Sequence, residues 1–176
     1  MNLTIRPVEL ADVPLLFAFI QKKAEFDRSL GAFSGQLQTS EQALRETLFN
    51  AAPYATAVFA EVDRQPVGFA LYYFRYSSFQ GRPSLWLDDL YIDAFKRGQG
   101  IGTRLFQHLV QLGQSHRCSH MAWNAHEDNQ RGLWFYQDMG AKIIDQQGSI
   151  LYFQLNLPID SSISAAPAKL ANQIVG

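Results

Sequence analysis

The chain has 176 residues, 47% of them hydrophobic, and a formal net charge of −1. That length suits one domain and that apolar fraction a packed core, so wholesale disorder is excluded. No Lys/Arg block marks a broad nucleic-acid surface, no apolar run reaches membrane length, and the lone Cys118 excludes a disulfide framework or thiolate metal cluster.

The first residues, MNLTIRPVEL, lack the apolar core of a signal peptide, which favours the cytoplasm. LTIR (3–6) alternates and stops before Pro7, predicting a strand. Asp12 is placed to cap a helix running to about Arg28. Pro14 is tolerated in its first turn, and Val13, Leu16, Phe17 and Ile20 form its buried face. Residues 29–38 read as a loop, and Thr39 with Gln42 as a capping box for a second helix ending near Asn50. TAVFAEV (56–62) and VGFALYYFRY (67–76) predict a hairpin through 63–66. SSFQGRP breaks the pattern and SLWLDDLYI (84–92) gives another strand. A helix is expected from Thr103 to about Gln114, a strand at HMAWNA (120–125), and a helix from Asn129 to Met139 closed by Gly140. AKIID and ILYFQL form a last hairpin.

The order β-α-α-β-β-β-α-β-α-β-β holds one β-α-β unit, which asks for a parallel pair, among hairpins that ask for antiparallel ones. The expected architecture is α/β (α+β): a mixed, mostly antiparallel sheet with a central parallel splay and helices on both faces. Residues 158–176 predict a tail, either a loose end or an arm on a partner subunit.

KRGQGIG (96–102) stands between a strand and a helix. A dinucleotide fingerprint needs glycine where Thr103 stands, and the phosphate loop needs a Gly-Lys-Ser/Thr run that is absent. The physical logic of both still applies. Small residues leave the first N–H groups of the helix bare at the positive end of its dipole. Lys96, Arg97 and Arg104 add charge, so the turn reads either as a sharp strand-to-helix bend or as a place where the backbone comes close to a phosphate.

Arg-x-x-Gly-x-Gly in this setting resembles the acetyl-CoA-binding motif of the GNAT superfamily of N-acetyltransferases. NQRGLWFYQDMGAKI is similar to that family's later helix, with Asn129, Phe135, Tyr136, Gly140 and Ala141 in register, and IRP (5–7) resembles its first strand. Within the superfamily, VGFALYYFRYSSFQG, LWLDDLYI and SHRCSHM resemble the diamine (spermidine/spermine) acetyltransferases. That type has Glu where Asp88 stands, Asp-Pro-Trp where Ser77, Ser78 and Phe79 stand, and Arg where Met139 stands.

The resemblance implies the GNAT fold over residues 1–157, acetyl-CoA as co-substrate, no metal and a homodimer. It places the coenzyme on Arg97, Gly98, Gln99, Gly100, Ile101, Gly102 and Thr103, on the main chain of Leu90, Tyr91 and Ile92, and on Asn129. Acceptor contacts fall to Phe26, Asp27, Asp88, Asp89 and Trp123. A free alkylamine has a pKa near ~10.4, so the site must take a proton from it. By family register Asp88 is the base through water, and Tyr136 the acid to the coenzyme sulfur. Asp88 and Asp89 are adjacent and, in a regular strand, point to opposite faces. Cys118 has no partners that mark a nucleophile, and His116, His120 and His126 lack a carboxylate pattern for a metal. The expected activity is acetyl transfer to a small-molecule primary amine such as a polyamine, diamine or lysine-like compound. The alternatives are transfer to a peptide or protein amine, and a CoA-binding regulatory module without catalysis.

Overall fold

The computed structural model describes residues 2–158. The remainder of the expected tail, 159–176, lies outside the described residues. Seven strands form one sheet in the order β1-β2-β3-β4-β5-β7-β6. They are β1 (Leu3–Pro7), β2 (Thr56–Val62), β3 (Gln65–Ser77), β4 (Arg82–Ile92), β5 (His120–His126), β6 (Lys142–Gln147) and β7 (Ile150–Asn156). Four helices complete the fold: α1 (Val13–Ser29), α2 (Glu41–Leu48), α3 (Ile101–Ser115) and α4 (Gln130–Asp138). The β4–β5 pair is parallel and every other pair antiparallel. The mixed sheet expected from the element order is therefore present.

Alternation along the strands feeds two cores. Ala57, Phe59, Phe69 and Tyr91 pack with Leu16 and Phe19 of α1 on one face. Val58, Ala60, Ala70, Leu85 and Leu87 pack with Leu105, Phe106 and Leu109 of α3 and with Leu133 and Tyr136 of α4 on the other. Side chains at successive strand positions point to opposite faces, so one strand can serve both layers.

Several boundaries differ from expectation. The buried stripe of α1 is Val13, Leu16, Phe19 and Ala24; Phe17 is only half-buried. Asp12 precedes α1 but its carboxylate makes no cap bond to that helix. It takes Arg6 Nη1 and Nη2 at 2.6 and 3.1 Å instead, while Arg6 Nε reaches Glu61 at 2.7 Å. This network, led by the hydrogen bond from Arg6, holds the Asp12 carboxyl below its ordinary value. Ser40, not Thr39, caps α2, its hydroxyl accepting from the Ala43 amide at 3.1 Å. The first hairpin is tighter than 63–66. Val62 pairs with Gln65, leaving a two-residue turn with Asp63 and Arg64 both left-handed (φ 51° and 67°). Helix α3 starts at Ile101 rather than Thr103, after a short 3-10 turn at Ala94–Lys96.

Two irregularities of β4 shape the centre of the molecule. It pairs with β5 at only two positions, Leu85↔Met121 and Trp86↔Ala122, so the strands part beyond Trp86. It also carries one extra residue against β3: Leu71 faces Asp89 and Tyr72 faces Leu87, leaving Asp88 in a bulge.

Candidate active site

A cleft of about 360 Å³ opens where β4 and β5 part. Leu90, Tyr91 and Ile92 line it from the end of β4. Past Trp86 no β5 residue pairs with β4, so one main-chain edge of β4 is left free to pair with an extended ligand.

The floor is the glycine turn. Gly98 and Gly100 line the cleft with left-handed backbone (φ 79° and 77°), which a side chain would strain. Gly100 precedes α3, and its carbonyl already receives the Arg104 amide at 3.0 Å, closing the first turn. No side chain caps the helix, so the preceding amides keep their protons for a ligand. Gly102 and Thr103 also line the cleft, leaving a bare, positively polarised helix end. This arrangement fits a diphosphate. Ile101 is in the core at 1% exposure, so only its main chain faces this side. Gln99 turns its amide to the Phe95 carbonyl at 3.3 Å and does not line the cleft.

Arg97 lies across one wall. Its Nε donates to the Ile92 carbonyl at 2.8 Å, and its guanidinium stands 4.8 Å from the Phe26 ring centre and 5.4 Å from that of Tyr91. It thereby ties β4 to α1. The opposite wall is α4. Asn129 lines the cleft, and its Oδ1 accepts from the Gly132 amide at 3.0 Å, starting the helix.

Sequence reasoning missed three lining residues: Arg131, Gly132 and Phe135. Arg131 matters most. A side-chain carbon at Gly98 would come within 3.7 Å of its Nη2, so its guanidinium hangs over the glycine turn. The signal was its place two residues after Asn129, on the turn of α4 that precedes Phe135 and Tyr136. It brings a cation to the turn in a chain that has Met139 where the diamine type has Arg.

Tyr136 lines the cleft and is otherwise buried at 9% exposure. Burial, then the charges of Asp89 and Asp27, push its phenol well above the ordinary value, so it keeps its proton at neutral pH. Trp123 requires a correction. It was expected to touch the acceptor, but it is 1% exposed and does not line the cleft. Its ring lies parallel to Phe153 at 5.7 Å and 5.0 Å from Tyr136, and its buried Nε1 finds no partner among the described residues. Strand alternation at 121–123 sends both Met121 and Trp123 into the α3/α4 core. Trp123 therefore backs Tyr136 rather than facing the cleft.

The two adjacent aspartates also differ from expectation. Leu85 and Leu87 face the α3/α4 layer, and Trp86 the other. Without the bulge Asp89 would follow Leu87. With it, Leu90 and Ile92 resume the α3/α4 side, while Asp89 and Tyr91 turn to α1. Asp88 accepts the Trp86 indole N–H at 3.2 Å, on that same α1 side. Both carboxylates thus share one face. Asp88 is exposed and has no cationic partner within 4.0 Å among the described residues. Asp89 is half-buried and lies 3.4 Å from Lys23 Nζ, which also grips Asp27. Burial raises the Asp89 carboxyl, with the pull of Lys23 only partly offsetting it. Asp27 and Asp89 are chain neighbours of Phe26 and Leu90, which line the cleft.

The arrangement sets a bare helix end, an open strand edge and a protonated phenol around one cleft; Asp27, Asp88 and Asp89 do not line it, and Asp27 and Asp89 stand one residue from the lining residues Phe26 and Leu90. Comparisons with known proteins agree with it. The family model described as "Acetyltransferase (GNAT) family" matches residues 24–141. Thialysine N-epsilon-acetyltransferase of Bos taurus is 30% identical over 146 residues, covering 78% of this chain and 83% of that protein. Spermidine/spermine N(1)-acetyltransferase-like protein 1 of Homo sapiens is 30% identical over 159 residues, covering 86% of this chain and 22% of that protein. The PaiA N-acetyltransferase of Thermoplasma acidophilum, solved in complex with coenzyme A, shares the fold with a TM-score of 0.74 at 18% identity, over 89% of this chain and 99% of that one.

Proposed function

Because the chain belongs to the acetyltransferase (GNAT) family, whose members draw on acetyl-CoA, we propose that this N-acetyltransferase acts on the primary amine of a small molecule. The acceptor class is a polyamine, a diamine or a lysine-like compound. Relatives named for thialysine and for spermidine/spermine support that class. The observation that carries the reading is the single cleft joining the glycine turn to the Tyr136 phenol.

Bound acetyl-CoA supplies an acetyl group activated as a thioester. The amides at the start of α3, with Arg131 above them, hold its diphosphate, and the open edge of β4 orders the chain between diphosphate and sulfur. Of the three carboxylates on the acceptor side, Asp27 and Asp89 are engaged with Lys23. Asp88 is the one left to take the proton that the attacking amine sheds, through a water. Tyr136 Oη gives its proton to the departing sulfur. Main-chain N–H groups at the end of β4 stabilise the charge that develops on the acetyl oxygen. Residues 1–157 form the catalytic domain, working as a cytoplasmic homodimer.

The test is free-thiol release with acetyl-CoA and a panel of diamines, polyamines, lysine analogues and a lysine-containing peptide. Turnover on the small amines is expected. Turnover on the peptide alone points to a protein acceptor, and coenzyme binding with no turnover points to a regulatory module.

A further inference from the structure

Lys23 is the feature of the acceptor side that the mechanism leaves unused. Its side chain is 21% exposed on α1, four residues before Asp27. Its ammonium contacts Asp27 from its own helix and lies 3.4 Å from Asp89 on the sheet. Burial opposes a charge there, but Asp89 and Asp27 outweigh it and hold the ammonium above its usual value. The cation is therefore fixed between two carboxylates whose chain neighbours, Phe26 and Leu90, line the cleft.

Resting on the function proposed above, we propose that Lys23 is a specificity residue: its ammonium occupies the position of a second cationic group of the acceptor, so the site favours amines whose far end is neutral or anionic over polycations. The charge count decides the direction. Three carboxyl groups, Asp27, Asp88 and Asp89, stand against one ammonium, and Lys23 is paired with two of them. An acceptor with a second ammonium meets a like charge at Lys23 and finds the Asp27–Asp89 pair already neutralised in part. An acceptor ending in a carboxylate meets the ammonium instead. Like-charge rejection of the wrong ligand sets specificity as effectively as attraction to the right one.

The test compares diaminopentane, aminopentanol and aminopentanoate, each with its groups at the two chain ends, as acceptors for the wild type, K23M and K23R. All three share the reacting amine, so ratios of kcat/KM isolate the far end. In K23M the ratio of diamine to amino alcohol is expected to rise about tenfold or more, and that of amino acid to amino alcohol to fall, because the interaction is between partly desolvated charges. K23R keeps the charge and is expected to keep the wild-type ratios. Ratios in K23M equal to those of the wild type, or moved to the same extent in K23R, overturn the proposal. Should K23M not fold, K23Q carries the same test with the same sign, and unchanged ratios in K23Q overturn the proposal. Coenzyme binding without turnover of any amine by the wild type refutes the proposed function and this inference together. Turnover with unmoved ratios refutes the inference alone.

Discussion

At the scale of single residues, Tyr136 is held in its role by what surrounds it. Phe106, Trp123 and Phe153 crowd its ring, and only the cleft side is open. Replacing it with Phe keeps that packing and removes the hydroxyl. Y136F is expected to lower kcat by about a hundredfold to ten-thousandfold at neutral pH, with coenzyme affinity retained in calorimetry. The pH dependence follows from the raised phenol. A folded-state value above the unfolded one leaves the group protonated while free amines are losing their protons, so no fall in rate from this group is expected below about pH 10. A kcat profile that turns down near pH 8 and loses that limb in Y136F would contradict this. The same shift has a stability consequence of definite sign. The neutral phenol favours the fold below pH ~10, and that contribution fades as pH rises and the unfolded phenol ionises first.

At the scale of elements, the two-residue turn between β2 and β3 carries a local conflict. Asp63 and Arg64 both adopt left-handed backbone, for which Asn-Gly or Asp-Gly is the favoured pair. Asp63 is fixed at the turn, its Oδ1 accepting from the Asn2 amide at 2.9 Å, so Arg64 is the position to change. R64G is expected to stabilise the protein by about 0.5–1 kcal/mol, the relief of an L residue in that region exceeding the added freedom of the unfolded chain. Thermal unfolding measures it. Much of this level was legible in the sequence: alternation gave the strands, 3.6-residue spacing the helices, and the glycine run the strand-to-helix turn. What was hidden is also physical. A bulge at Asp88 leaves no mark in composition, yet it moves Asp89 to the α1 side and so decides which carboxylates share a face. Ser40 and Thr39 are both good caps, and only chain geometry chooses between them. Trp123 looked like a cleft aromatic because a strand next to a site can point either way. Arg131 went unnoticed because its reach across to Gly98 is tertiary.

At the scale of the whole molecule, the α1/α2 layer and the α3/α4 layer clasp a sheet whose two halves meet through the short β4–β5 pairing. The first half contributes the open strand edge and the acidic cluster. The second contributes Asn129, Arg131 and Tyr136 from α4. The site therefore exists only when both halves are in place. This level was readable from the element order, since one β-α-β unit among hairpins permits few arrangements, but the extent of the parting was not. Among the described residues, no helix is long and apolar enough to cross a membrane.

A sheet left unzipped at its middle has a mechanical meaning. The ladder between Trp86 and the far ends of β4 and β5 is missing its rungs, and an elongated guest with amide groups of its own can supply them. The guest then acts as a temporary splint between two half-sheets whose own ladder pairs at two positions, although a shared core packs behind them. Coenzyme is expected to slow amide hydrogen exchange at residues 90–92 and 101–103 far more than in the distant β6–β7 hairpin, and to raise the melting temperature with increasing ligand concentration.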